Sequence, residues 1–257
     1  MTSSHLLLQV SDVHLTLDGP TPWGAPSREN LVAGLALLSD SGFVADVIVV
    51  SGDLADTGDA ACYDELAERL ERFARGAAVV YLPGNHDDRE TLSRRLLDAA
   101  LSGRGPLNQV RWHGGLRIVA LDSTVPGMAH GELDDVTLEF LRAELATPAP
   151  DGTLVALHHP PISSPVEPIS RVRLRNPDAF GAALAGSDVR LVVCGHYHHV
   201  MLGSVGGVPV WVSPAVSDLT DVTSRDELRM IAGSGVSLIE LRDGEHAVSV
   251  IPIRAPS

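Results

Sequence analysis

Residues 46–53 read DVIVVSGD, and the fold follows from how that stretch is built. The run Asp46 to Val50 is short, apolar and β-branched, the pattern of a strand covered on both faces, and Ser51-Gly52-Asp53 closes it with turn residues carrying a carboxylate. The same construction recurs on either side. His5 to Val10 is followed by Asp12 and His14, and Ala77 to Leu82 by Gly84-Asn85-His86-Asp87. Between these runs, Arg28 to Leu38 and Ala60 to Phe73 place leucines at helical spacing, and Asp88 to Leu101 is predicted as a helix with an acidic first turn. A βαβαβα order over the first hundred residues predicts a largely parallel sheet covered by helices.

The second half is richer in strands. Val110 to His113 and Leu116 to Leu121 flank Gly114-Gly115, and Val200 to Val205 and Val208 to Val212 flank Gly206-Gly207. Both pairs are hairpin signals, as is Ser237 to Leu241 with Ala247 to Ile251. Leu138 to Leu145 and Asn176 to Leu184 read as helices, Thr153 to Leu157 and Leu191 to Cys194 as strands. Strands without intervening helices predict a second, mixed sheet packed on the first. Nothing divides the chain, so residues 1–257 are expected to form one domain. Within it, His159 to Pro168 holds four prolines and is expected to be a rigid loop, and Ser213 to Gly235 is polar enough to be a cap or a dimer contact.

Composition excludes several classes of function. All 19 basic residues are Arg, so a lysine Schiff base or a P-loop is out of reach. With 33 acidic residues the formal net charge is −14, which repels long nucleic acid, because affinity for its backbone rests on basic side chains. No apolar run approaches the roughly 18 residues of a membrane span, and MTSSHLLLQV has no basic targeting region. Two cysteines, Cys62 and Cys194, cannot build a disulfide framework; two free thiols suit a cytoplasmic protein.

The informative polar residues stand directly after the strands: Asp12 and His14, Asp53, Asn85 and His86, His158, then His196 and His198. In an α/β sheet the carboxyl ends of the strands line one crevice, where ligands bind. Any one of these residues has a turn or core explanation, but the set does not. Asp12 with His14, and His196 with His198, share an i, i+2 spacing that in extended backbone sends both side chains to one side. Imidazole and carboxylate ligands without cysteine suit two divalent or trivalent ions, manganese and iron foremost, with zinc or cobalt compatible. Two such ions about 3.5–4 Å apart need a bridging carboxylate. His130, in a glycine-flanked loop, is placed at the substrate, and Trp23 at the lip of the cleft or in the core. His159 and His199 are expected to point away from the ligands.

The ordered motifs D-x-H, GD, GNHD, H-x-P and GHxH, at Asp12, Gly52, Gly84, His158 and Gly195, resemble those of the calcineurin-like metallophosphoesterases. GDLADTG, GNHDDRETL, TPAPDG, ALHHPPI and GHYHH resemble in particular the class III cyclic-nucleotide phosphodiesterases of actinobacteria. The resemblance implies an α/β fold, a four-layer αββα sandwich of two mixed β-sheets flanked by helices. It implies that Asp12, His14 and His198 hold one metal, that Asn85, His158 and His196 hold the other, and that Asp53 bridges them. It places Asn85, His86 and His198 at the substrate and gives His86 the phosphate or the leaving oxygen; it also implies a homodimer. The expected reaction is in-line attack of a metal-bridging hydroxide on a small phosphodiester, a 3′,5′- or 2′,3′-cyclic nucleotide before a glycerophosphodiester. Thr57 stands where protein phosphatases of this superfamily carry a phosphate-binding arginine, which favours a monoanionic diester. A non-catalytic metal-binding scaffold is the rival of another class, and the complete ligand set argues against it.

Overall fold

The computed structural model describes residues 4–97 and 105–254. The first half runs β1 (Ser4–Val10), α1 (Ser27–Asp40), β2 (Val47–Ser51), α2 (Ala60–Ala74), β3 (Ala78–Leu82) and α3 (Arg89–Leu96). β1 pairs with β2 and β2 with β3, both in parallel, as the βαβ order predicts. Helix α3 is capped by Asp88, whose side chain accepts from the Thr91 N–H, and it stops at Leu96, short of the predicted Leu101; residues 98–101 of that prediction lie outside the described residues.

The second half runs β4 (Gln109–His113), β5 (Leu116–Leu121), α4 (Asp135–Leu145), β6 (Thr153–Leu157), α5 (Glu167–Ser170), α6 (Pro177–Leu184), β7 (Val189–Cys194), β8 (Met201–Val205) and β9 (Val208–Val212). It ends with β10 (Leu219–Thr220), β11 (Met230–Ile231), β12 (Ser234–Arg242) and β13 (Glu245–Ile253). One sheet has the order β13-β12-β1-β2-β3, the other β4-β5-β6-β7-β9-β8, and both mix parallel with antiparallel pairs. The last hairpin therefore belongs to the first sheet, not the second. β12 lies antiparallel along β1, with Ser4 opposite Arg242, and covers an edge that would otherwise expose its backbone groups.

Alternation along each strand builds four layers. Leu7, Val47, Val49 and Leu82 face Ile118, Leu154, Ala156 and Val193 between the sheets. Leu8, Val10, Ile48 and Val50 face outward onto α1 and α2 through Leu31, Leu38, Leu66 and Leu70. Val119, Val155 and Val192 likewise meet α4 and α6 through Leu141 and Phe180. Both faces of the central strands are buried, which is why they read as continuous apolar runs.

The two irregular segments differ from expectation. The proline-rich loop is shorter than predicted, because α5 begins at Glu167, with Pro168 in its first turn, where a missing N–H costs nothing. Ser213 to Gly235 divides in two. Val216 and Ser217 donate their N–H groups to the Ser11 and Asp12 carbonyls and are buried, while the β10–β11 ribbon is anchored by the buried Thr220 and exposes Ile231.

Candidate metal centre

The carboxyl ends of β1, β2, β3, β6 and β7 meet where the two sheets face each other. Asp12, His14 and Asp53 have φ of 52°, 48° and 51°, and His196 and His198 have 69° and 51°. Backbone there is left-handed, not extended, so the i, i+2 argument fails: Asp12 and His14 do share a group of potential ligands, but His196 and His198 fall in different ones. Each such residue costs roughly 1–3 kcal/mol and persists only when its surroundings hold it. Here the Asp12 and His14 N–H groups donate to the Gly52 and Asp53 carbonyls, and the His196 N–H donates to the Asp12 carboxylate at 2.9 Å. The glycines of the motifs serve close approach: a Cβ on Gly52 would lie 2.3 Å from His158 Nδ1, and one on Gly84 2.2 Å from Asp53 Oδ1.

Asp53 stands at the middle. Its Oδ1 accepts the His86 N–H at 2.8 Å, which leaves Oδ2 lying 3.5 Å from His14 Nε2 and 3.2 Å from His158 Nε2. His14 Nε2 is 3.2 Å from His198 Nε2, which is 3.5 Å from Asp12 Oδ1. Four overlapping groups of potential ligands result among the described residues: Asp12, His14 and His198; Asp12, Asp53 and His158; His158, His159 and His196; and His14, Asp56 and His86. His196 sits beside His158, with ring centroids 5.0 Å apart. Asn85 lines the same cavity.

The opposite ring nitrogens are committed to acceptors, which fixes the tautomers. Nδ1 of His14 donates to Asp56, Nδ1 of His158 to the Ser51 carbonyl, and Nδ1 of His198 to Asp218. Nε2 of His196 donates to the Val172 carbonyl. The Nε2 atoms of His14 and His198 face one another, a contact satisfied by a proton on His198 or by a shared metal ion. His158 Nε2 and Asn85 Oδ1 are buried without any hydrogen-bond partner. Spacings of 3.2–3.5 Å are those of atoms about 2.0–2.2 Å from a common ion. On these grounds the residues fit a pair of metal ions.

Electrostatics agree. Burial alone would raise the Asp53 carboxyl and lower the His158 imidazole, but the pair overrides it: Asp53 is held well below the usual carboxylate range and His158 is pushed up to about 9. Burial opposes the next pair too, and Asp12 overcomes it, driving His198 up to about 10 while its own carboxyl is lowered. His196, desolvated and next to His158, falls to about 3 and stays neutral.

His86 projects into a cavity of about 330 Å³ whose lining also includes His14, Asp53, Asn85, His196 and His198. Its Nδ1 donates to the Asp56 carbonyl at 2.9 Å, so the ring is oriented. Trp23 lies at the lip of the cleft, edge-on to His14 and His86. His130 does not line this cavity; Ala129 does, because Gly131 is pinned by bridges to Thr124 and Leu174. His159 is buried against His158 and His196, with centroids 4.8 and 4.6 Å away, and burial holds it neutral. Contrary to expectation it does not point away: its ring joins those of His158 and His196 in one group of potential ligands. His199 does turn aside, to Ser164.

Three residues escaped the sequence reading. Asp56 orients both His14 and His86, and its only signal was its place three residues after Asp53. Asp218, behind His198, sits in the segment read as a lid. Asp87 accepts the N–H groups of Leu54, Ala55 and Gly84 and the Tyr63 hydroxyl, tying the loops after β2 and β3 together.

Known proteins resemble this chain. The family model described as calcineurin-like phosphoesterase matches residues 5–200. A cAMP/cGMP dual specificity phosphodiesterase of Mycobacterium tuberculosis is 40% identical over 259 residues, covering 97% of this chain and 80% of that protein. A 3′,5′-cyclic adenosine monophosphate phosphodiesterase of Escherichia coli is 34% identical, covering 75% of this chain and 69% of its own length. Among solved structures, a purple acid phosphatase from yellow lupin seeds superposes with a TM-score of 0.69 at 12% identity, over 98% of this chain and 52% of that one, a likeness of fold.

Proposed function

Because the chain belongs to the calcineurin-like phosphoesterase family, a family of metal-dependent hydrolases, we propose that it hydrolyses cyclic nucleotides, 3′,5′-cyclic AMP first among them. The observation that carries the reading is Asp53 Oδ2 set between two imidazoles, 3.5 Å from His14 Nε2 and 3.2 Å from His158 Nε2. Asp12, His14, Asp53 and His198 would hold one ion, and Asp53, Asn85, His158 and His196 the other. The ions, manganese and iron by ligand type, would supply a nucleophile from water and positive charge for the phosphoryl oxygens.

The chain's own residues do the rest. His86, held by Asp56 at Nδ1, presents Nε2 to the cavity and donates to the departing oxygen when it is the imidazolium. Asn85 turns its amide toward the same space, and its N–H groups are placed to stabilise charge on a non-bridging oxygen. No arginine lines the cavity among the described residues, which suits a monoanionic diester better than a dianionic monoester. Two buried free cysteines and the lack, among the described residues, of a helix long and apolar enough to cross a membrane are compatible with work in the cytoplasm. A homodimer is part of the same proposal, with Ser213 to Gly235 as cap or contact in a single domain.

The test is kcat/KM for 3′,5′-cyclic AMP beside a simple aryl phosphodiester, with manganese-loaded protein. An advantage of about tenfold or more for the nucleotide, about 1.4 kcal/mol of selective transition-state binding, is expected. Preference for the aryl diester would keep the hydrolase and overturn the substrate, moving attention to 2′,3′-cyclic nucleotides and glycerophosphodiesters.

A further inference from the structure

The reactive cavity is lined by both polar and apolar residues. Its lining joins the buried Asp53, with Asn85 and His86, to Trp23, from the loop after β1, and Leu228 and Met230, from the β10–β11 ribbon. Trp23 is 43% exposed and Leu228 51% exposed. Single exposed apolar residues need no explanation, but two exposed ones and the half-buried Met230, from two separate elements, meeting at one cavity do. Trp23 and Met230 also line a second cavity, of about 440 Å³, behind the first, so they form a wall between the two. A phosphodiester needs none of this apolar surface for its reacting atoms. A flat aromatic group attached a few ångströms from the phosphorus does.

We propose that Trp23, together with Leu228 and Met230, is the subsite for the nucleobase of the substrate, with the indole as its stacking surface. The proposal rests on the cyclic-nucleotide reading and adds the residues that would make it selective. Base–aromatic stacking tolerates any base, because each has a π-face, and grows with ring area. Purine cyclic nucleotides are therefore preferred over pyrimidine ones, and the β10–β11 ribbon is a wall of the active site.

The experiment compares 3′,5′-cyclic AMP with its base-free analogue, a ribose 3′,5′-cyclic phosphate carrying hydrogen at C1′, on the wild type, Trp23→Ala and Trp23→Phe, all manganese-loaded. The wild type is expected to prefer cyclic AMP in kcat/KM. Trp23→Ala is expected to lose about tenfold of that preference, and Trp23→Phe to keep most of it. Because Trp23 touches His14 and His86, its removal can also slow catalysis, but such a loss falls on both substrates and leaves their ratio unchanged. A preference that survives in Trp23→Ala overturns the subsite and leaves the cyclic-nucleotide reading standing. A wild type that treats the two substrates alike overturns both.

Discussion

His86 is the site residue whose role separates most cleanly from metal binding. Its ring contributes to the cavity, yet the atoms set around Asp53 Oδ2 are all in place without it. His86→Ala is expected to lower kcat by roughly 10²-fold while metal content, read by elemental analysis, stays at the wild-type level. Near-normal turnover would remove the leaving-group role. At this scale the sequence was informative about chemistry and silent about geometry. Residue type and position after a strand marked Asp12, His14, Asp53, Asn85, His158, His196 and His198. The left-handed backbone that aims five of them was not readable: aspartate and histidine are enriched at positive φ, but only a few per cent of non-glycine residues adopt it, so residue type alone does not pick these positions. Asp218 was missed for a related reason: it reaches His198 through chain that folds back under β1, a contact fixed only by the tertiary structure.

Elements were legible where the information is local. Apolar runs gave the parallel strands, and leucine spacing gave α1, α2 and α4 to within a few residues. Sheet membership of the last hairpin was not legible, since pairing β12 with β1 joins segments more than two hundred positions apart. The layering predicts where the strands are sensitive. Leu7 on β1 is fully buried between the sheets, whereas Leu202 on the edge strand β8 is 69% exposed. Leu7→Ala is expected to cost about 2–5 kcal/mol in urea unfolding, by lost burial and the cavity left behind. Leu202→Ala is expected to change stability by no more than about 0.5 kcal/mol. Equal effects would contradict the four-layer arrangement.

For the whole molecule, stability, metal and pH are linked. His158 and His198, pushed up to about 9 and about 10 in the metal-free protein, hold protons that a metal must displace. Their folded pKa values lie above the unfolded value of about 6.5, so the stability they lend the metal-free protein is full below about pH 6.5 and is lost as pH rises toward 9–10. Metal binding strengthens over that same window. The gap in Tm between manganese-loaded and chelator-treated protein is expected to widen from pH 6.5 to 9; a gap that narrows would show that these histidines are not ligands. The candidate ligands are also split between the sheets: Asp12, His14, Asp53 and Asn85 follow strands of the first, His158, His196 and His198 strands of the second. Neither sheet alone carries both ligand groups. On a ribosome adding about 5–20 residues per second, the first four emerge roughly 6–20 s before the last two. The site is therefore assembled only after strands of both sheets have been made, and its occupancy is set by the ions the chain encounters then rather than by those present when its first ligands are made.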